Sequence, residues 1–316
     1  MEQDNKLHDV VMVGAGPSAL CAAVYTTRED IDTVLVEKGV VGGLAAITDW
    51  VDNYPGFSKG ISGMDLATEL QAQAERFGAD IRYGEVLSIK DKGDEKVVET
   101  SEGPLRGRTV LIATGSDYRK LGIPGEAEYY GRGVHYCATC DGAFYRDKKL
   151  AVVGGGNSAV QEALFLTRFA SHIDLLVRSK LRASDVLLRE LDKSVAEGKI
   201  TVHLETVPTE IIASDGKSVD RLVGEKAGAD FSIDVDGVFV FIGLLPNTSF
   251  LKDSDIELDE IGMVKTSIRL ETSMPGVFAS GDVRSGATAQ IASAVGEGAT
   301  AALSIREYLN EHKANQ

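Results

Sequence analysis

Two cysteines stand two residues apart in the run HYCATCDG, residues 135–142: Cys137 and Cys140. Such a pair can close a small disulfide, supply half of a zinc site, or carry an electron pair as a dithiol. The chain has three cysteines in 316 residues, too few for a disulfide scaffold, so the expected compartment is a reducing cytoplasm. There a CxxC pair is catalytic or metal-binding rather than structural. Zinc wants four ligands. Cys21 lies more than a hundred residues away in an apolar helical stretch, and of the five histidines only His135 is near the pair. No metal centre is expected. A disulfide and an electron-carrying dithiol both remain open at this point.

A dithiol needs something to exchange electrons with, and two glycine turns offer it. In HDVVMVGAGPSALCAAVYTTR a short apolar strand meets Gly14-Ala15-Gly16-Pro17-Ser18-Ala19 and then a helix. The first glycine permits the turn, the second lets backbone N–H groups approach a pyrophosphate, and the small Ala19 packs helix on strand. The free N–H groups and dipole of the helix start then attract the phosphates. The next strand, DTVLVEKG, ends in Glu37, 23 residues past Gly14, where a carboxylate accepts hydrogen bonds from a ribose. The pattern returns 140 residues later as Gly154-Gly155-Gly156-Asn157-Ser158-Ala159. Here the position 23 residues past Gly154 is Val177, and Arg178, Lys180 and Arg182 follow. Loss of the acid with cations alongside suits a ribose carrying a 2′-phosphate. The first turn therefore reads as an FAD or NAD site and the second as an NADP site. Together they imply a flavin and a nicotinamide.

The elements that must hold these turns are legible in outline. Three further apolar strands end in glycine, at Gly115, near Gly243, and at Gly281-Asp282. Asp282 could bind a polyhydroxyl chain such as ribitol. The stretches 79–110 and 200–240 alternate apolar and polar residues and read as antiparallel meanders, with Asp91 to Lys96 as a solvated hairpin turn. The fold class is α/β, with two Rossmann-like (ββα three-layer) dinucleotide-binding domains, the second inserted in the first. The expected divisions are 1–117 with 246–316 for the first and 118–245 for the second, which carries the CxxC. Cys21 is expected to pack in a helix as a small hydrophobe.

Bulk properties narrow the partners. The net charge is −15, so a nucleic acid or an anionic membrane surface would be repelled. No apolar run reaches the ~18–20 residues of a membrane span, and the N-terminal residues show no basic region leading into a long apolar stretch. The 34 glycines, more than one residue in ten, fit many tight turns and close backbone approaches.

With these pieces in order the chain resembles the low-molecular-weight thioredoxin reductases, FAD-containing pyridine nucleotide-disulfide oxidoreductases. The matching stretches are GAGPSA, GGLAAITDWVDNYPGF, ATGS, KLGIPGE, CATCDG, GGGNSAVQEALFL, FIGLLPNTSF, GVFASGDV and AQIASAVGEG. The resemblance implies a homodimer with non-covalent FAD that passes electrons from NADPH to the cysteine pair and on to a thioredoxin or thioredoxin-like protein. It implies that Gly14, Gly16, Ala19 and Glu37 hold the adenosine end of FAD, with Pro17, Ser18, Lys38, Gly43, Leu44, Ala113, Thr114 and Gly115 also at the cofactor. Asn53 would lie near the flavin, and Gly281, Asp282, Gln290 and Ile291 would close over ribitol and isoalloxazine. Gly154, Gly156, Asn157, Ser158 and Ala159, with Arg178, Lys180 and Arg182, would take the nicotinamide dinucleotide. Cys137 and Cys140 would be the redox pair, and Asp141 the general acid that protonates a leaving thiolate. A CxxC that opens a helix also has one cysteine pKa lowered from ~8.5 toward ~7.

Two stretches depart from the family. Its NADPH-using members carry His-Arg-Arg and a later arginine where this chain has Val177-Arg178-Ser179, Lys180 and Arg182. The last-helix motif begins Ala289-Gln290-Ile291 in place of Arg-Gln-Ala. These departures bring in ferredoxin as an alternative donor, with NADH behind it because Val177 offers the ribose no acid. His135 could tune the dithiol, although a surface or packing role is the simpler expectation. The competing functions are a flavin-dependent dithiol oxidase acting on a small molecule, and a non-catalytic flavin redox sensor. Domain rotation is expected about residues 115–120 and 243–248.

Overall fold

The structure is a computed structural model that describes residues 6–48 and 50–314. Asp49, inside one of the stretches quoted above, and the first five residues, read above for a leader, lie outside the described residues. The chain divides into two compact units, one of residues 1–117 with 245–316 and one of residues 118–244.

Unit one opens with strand β1 (Leu7–Val13), helix α1 (Pro17–Thr27) and strand β2 (Thr33–Glu37). A short helix α2 (Gly43–Ala46) and helix α3 (Gly63–Arg76) lead to β3 (Asp80–Tyr83), β4 (Val86–Asp91), β5 (Lys96–Thr100), β6 (Leu105–Ile112) and β7 (Ser116–Tyr118). Helix α3 starts where Ser62 caps it, its side chain accepting from the Asp65 N–H at 3.0 Å. The sheet order is β3-β2-β1-β6-β5-β4. Strands β1, β2 and β3 run parallel, β1 pairs parallel with β6, and β4, β5 and β6 form an antiparallel meander. The meander expected over 79–110 thus begins only at β4, because β3 joins the edge of the parallel sheet. In its hairpin Lys96 is buried rather than solvated: its Nζ donates to the Gly93 carbonyl at 2.6 Å and pairs with Asp91 at 3.0 Å.

Unit two contains β8 (Val134–His135), the single-turn helix α4 (Ala138–Asp141), β9 (Lys149–Val153), α5 (Asn157–Leu166), β10 (His172–Leu176) and α6 (Asp185–Ala196). Then come β11 (Ile200–His203), β12 (Thr206–Ile212), β13 (Arg221–Lys226), β14 (Ala229–Asp234), β15 (Gly237–Val240) and β16 (Leu244–Pro246), the last crossing the division. Its parallel sheet has the order β11-β10-β9-β15-β8, and β12-β13-β14 form a separate antiparallel sheet. As in unit one, the first strand of the expected meander, β11, instead extends the parallel sheet. Back in unit one, β17 (Val277–Ala279) pairs with the second half of β6, and α7 (Ile291–Ala314) closes the chain.

Strand alternation explains why both central sheets are buried on two faces. In β1, Val10 and Met12 pack with Leu20 and Ala23 of α1 and Ala301 and Ile305 of α7, while Val11 and Val13 join Val98, Ile112 and Val277 on the other side. In β9, Leu150 and Val152 pack with Val160 and Leu166 of α5, and Ala151 and Val153 face Ile211 and Leu222 of the antiparallel sheet. Each unit is therefore three layers, helices on one face of a parallel sheet and antiparallel β-structure on the other. Small residues let α1 and α7 approach closely, since a Cβ on Gly298 would stand 2.1 Å from the Ser18 carbonyl oxygen.

Candidate functional site

The two glycine turns have the same construction. Gly14 and Gly154 take positive φ, +97° and +146°, that an L side chain adopts only under strain. A Cβ on either would collide with a carbonyl at the end of the neighbouring strand, Ala113 at 2.6 Å or Phe241 at 2.3 Å. Gly16 and Gly156 are the extended N-cap residues of α1 and α5, with no side-chain cap and nothing within 4 Å of a Cβ built on them. The first-turn N–H groups are thus left for a ligand. Ala19 and Ala159, the small third residues, are fully buried. An open cradle over an uncapped helix start is what a pyrophosphate needs, so both turns fit a dinucleotide.

Around the first turn, Glu37 is anchored by the N–H groups of Ala15, at 2.8 Å, and Gly39, at 2.7 Å. Each carboxylate oxygen retains a lone pair for a ribose hydroxyl. The Gly42 N–H donates to the Ala15 carbonyl at 2.8 Å, which brings Gly43 and Leu44 beside the turn. Lys38 is exposed. The Thr114 hydroxyl donates to the Asn247 carbonyl at 2.8 Å and Asn247 Nδ2 returns a bond to the Thr114 carbonyl at 3.1 Å, fixing the Ala113-Thr114-Gly115 strand end. Ser18 and Ser280 share a hydrogen bond at 2.7 Å, which joins α1 to the end of β17. There the Gly281 N–H donates to Glu297 at 2.8 Å, and Glu297 also takes Arg284 at 2.5 and 3.1 Å.

Asp282 is the outlier. Among the described residues no donor reaches its carboxylate, while the Ser116 hydroxyl bonds its carbonyl. Burial first, then the nearby Glu297 charge, push its carboxyl up to about 6. An unpartnered, half-buried carboxylate fits a polyhydroxyl ligand that would donate to it. Asn53 and Gln290, 237 residues apart, meet at 3.0 Å through Asn53 Nδ2 and Gln290 Oε1. Ala289, just before them, holds a positive φ of 54°. Glu297, Arg284, Ser280 and Asn247 escaped sequence reasoning because nothing in their spacing shows what they brace; only nearness to the GDV and LPN runs could have pointed to them.

Around the second turn, Val177 is buried, and a Cβ on Gly155 would stand 2.7 Å from its Cγ1. The Arg182 N–H donates to the Gly155 carbonyl at 2.7 Å, which ties the 177–182 loop to the turn. Arg178, Lys180 and Arg182 are exposed, and among the described residues no carboxylate pairs with them. Asn157 is partly committed, its Oδ1 accepting from the Ser184 N–H at 2.8 Å.

Cys137 and Cys140 are joined as a disulfide with Cα atoms 5.4 Å apart. Cys137 is the N-cap of α4 and its Sγ accepts from the Cys140 N–H at 3.2 Å. Because α4 is one turn followed by a 3₁₀ turn at Gly142–Tyr145, its dipole is small, and that local N–H bond is the main helix-derived support for a thiolate. Cys21 is buried in α1, and burial pushes its thiol up to about 11, so it stays protonated and inert. His135 is buried, not on the surface, and sits between Asp141 and Tyr145. Among the described residues no group of three or more His, Cys, Asp or Glu side chains is placed to hold a metal ion.

Two dinucleotide cradles and a CxxC disulfide define a class of flavin- and nicotinamide-linked disulfide oxidoreductases. Residues 8–298 match the pyridine nucleotide-disulphide oxidoreductase family, and the chain belongs to it. It is 40% identical to a thioredoxin reductase of Listeria monocytogenes over 316 aligned residues, covering 99% of this chain and 97% of that one. It is 41% identical to a thioredoxin reductase of Bacillus subtilis, covering 98% and 96%. The crystal structure of a thioredoxin reductase from Streptococcus pyogenes superposes with a TM-score of 0.90 at 39% identity, covering 98% of this chain and all of that one.

Proposed function

We propose that this chain is a thioredoxin reductase in which unit one holds FAD, unit two receives NADPH, and the Cys137–Cys140 pair passes electrons to a thioredoxin disulfide. The observation that carries the reading is a CxxC disulfide in a chain with two dinucleotide cradles and full-length kinship to proteins of that name. Bound FAD would supply the junction between a two-electron hydride donor and a dithiol. The chain's own groups do the rest. Gly14, Gly16 and α1 seat the pyrophosphate, Glu37 and Asp282 accept from ribose and ribitol hydroxyls, and Asn53 with Gln290 borders the flavin. Gly154, Gly156 and α5 seat the second dinucleotide, and Arg178, Lys180 and Arg182 meet its 2′-phosphate. Asp141, directly after Cys140, passes a proton to a leaving thiolate.

The donor is the finer question. The three exposed cations, paired with no carboxylate among the described residues, favour NADPH, and the shortened basic stretch leaves ferredoxin as the alternative. The protein is proposed to act as a homodimer in the cytoplasm; no helix among the described residues is long and apolar enough to cross a membrane. The test is an anaerobic titration of purified protein, following flavin absorbance, with NADPH and NADH added in separate runs and thioredoxin reduction then assayed. Bleaching by NADPH followed by reduction of thioredoxin supports the reading. No bleaching by either nucleotide, with dithionite still effective, moves the donor to ferredoxin. Bleaching without thioredoxin reduction overturns the assignment.

A further inference from the structure

The surroundings of the disulfide hold a buried imidazole that the reading above does not use. His135 ends β8 and is 6% exposed. Its ring stacks on the fully buried Phe239, with centroids 5.1 Å apart and 27° between planes, and meets Tyr145 edge-on at 5.2 Å. Its Nδ1 lies 3.2 Å from Asp141 Oδ2, and its Nε2 lies 2.7 Å from the Tyr145 hydroxyl. Both ring nitrogens are therefore committed, one to a carboxylate and one to a hydroxyl that can donate or accept. Asp141 directly follows Cys140, and its backbone N–H donates to the Cys137 carbonyl at 3.2 Å, which places it in the same helical turn as the redox pair.

We propose that His135 is a positioning residue that stores, through Asp141, the proton exchanged with the Cys137–Cys140 dithiol. The proposal rests on the dithiol-exchange reading above. The groups facing the imidazole are Asp141 from α4, Tyr145 from the 3₁₀ turn and the uncharged Phe239 from β15. Burial, then the carboxylates of Asp141 and Asp236, push the Tyr145 phenol up, so it remains a neutral hydroxyl. In the loaded state the imidazolium donates from Nδ1 to Asp141 and from Nε2 to Tyr145. On discharge the Nδ1 proton crosses to the Asp141 carboxylate, which passes it to the expelled sulfur, and neutral His135 keeps its Nε2 proton on Tyr145.

The exchange balances over two such cycles. One thiol ionises, its proton passing through Asp141 to Nδ1, and the thiolate forms a new sulfur–sulfur bond to the partner while the partner's disulfide breaks. The expelled sulfur takes the stored proton. The second thiol repeats this, closing the Cys137–Cys140 disulfide and expelling the partner's other sulfur. Two electrons and two protons leave the dithiol and arrive on the partner.

A leaving group that needs no proton should not need His135, and that supplies the test. The flavin-loaded full-length protein is reduced anaerobically with dithionite and freed of it. It is then mixed in stopped flow with either an aromatic disulfide, 5,5′-dithiobis(2-nitrobenzoate), or an alkyl disulfide, hydroxyethyl disulfide. The aromatic thiolate has a low pKa and leaves unaided, whereas the alkyl one requires an acid. His135→Asn keeps an N–H donor toward Asp141 and cannot carry a second proton. It should lose about tenfold on the alkyl disulfide, below the span typical of a direct general acid, and about twofold or less on the aromatic one. His135→Phe keeps the aromatic stacking and should lose as much. Adding His135→Asn to Asp141→Asn should cost nothing further, since both act in one relay. Wild-type rates for His135→Asn on both substrates, or equal losses on both, would overturn the relay. If the wild-type protein reduces neither these disulfides nor thioredoxin, the dithiol-exchange reading itself falls and takes the relay with it.

Discussion

At the scale of single residues the chemistry rests on a few side chains whose surroundings set their state. Cys137→Ser and Cys140→Ser should each abolish disulfide reduction while leaving flavin content unchanged, checked by thioredoxin turnover and by the absorbance spectrum. Retained turnover in either variant would remove the pair from the reaction. Asp282 makes a pH-dependent prediction. Its folded-state carboxyl stands at about 6 against an ordinary 3.8, so the flavin-free folded chain binds that proton more tightly than the unfolded one does. The stability this confers is complete below pH 3.8 and is lost as pH rises to about 6. Asp282→Asn should then stabilise the flavin-free protein at pH 8 by about 1–2 kcal/mol, less than the full shift implies because the group is partly solvated. The same variant should lose flavin on dilution more readily, because a ribitol-facing acceptor is gone. Thermal unfolding at pH 4.5 and pH 8 checks the first expectation and flavin release the second.

At the scale of elements, the strand–turn–helix unit carries each dinucleotide cradle. Gly154→Ala forces a Cβ against the Phe241 carbonyl and a positive φ, at a cost of roughly 1–3 kcal/mol. It should raise the KM for NADPH at least about tenfold, one decade being 1.4 kcal/mol, while flavin stays bound. Replacing Arg178, Lys180 and Arg182 together by glutamine should narrow the preference for NADPH over NADH without altering the reaction of the reduced dithiol. An unchanged ratio of kcat/KM values would remove the phosphate clamp from these residues. The strand–turn–helix units were legible in the sequence because they are local: Gly14 and Gly154 show at positions where only a missing Cβ lets the next strand pass. The first strands of the two supposed meanders were misread because alternation says which face is buried, not which neighbour is paired. Lys96 was misread for a similar reason: a charge run looks solvated until its partner Asp91 and the Gly93 carbonyl are seen to fold over it.

At the scale of the whole molecule, two compact units each bury their own sheet on both faces. Damage to one dinucleotide cradle should therefore leave the other loaded. For Gly154→Ala this means one flavin per chain with little NADPH bound, measured by absorbance and by equilibrium dialysis. The proposed homodimer is checked by sedimentation equilibrium at low and high salt. Twice the chain mass under both conditions supports it, and a single chain mass throughout sinks it. The net charge of −15 makes the low-salt arm informative, since self-repulsion is greatest there.

The sequence by itself determined the chemistry-bearing motifs and the α/β class. Each is written in a short run of residues: CATC for the dithiol, two glycine turns with their following strands for the dinucleotides, and an acid at Glu37 with none at Val177. Only the tertiary structure decided what stands behind those motifs. It set Glu297 and Arg284 behind Gly281, brought Asn53 to Gln290 across 237 residues, and left the Asp282 carboxylate with no donor among the described residues. It also buried His135 between Asp141 and Tyr145. The physical reason is range: a turn is specified by neighbours along the chain, whereas the state of a buried carboxylate or imidazole depends on groups that only the packed fold brings within hydrogen-bonding distance.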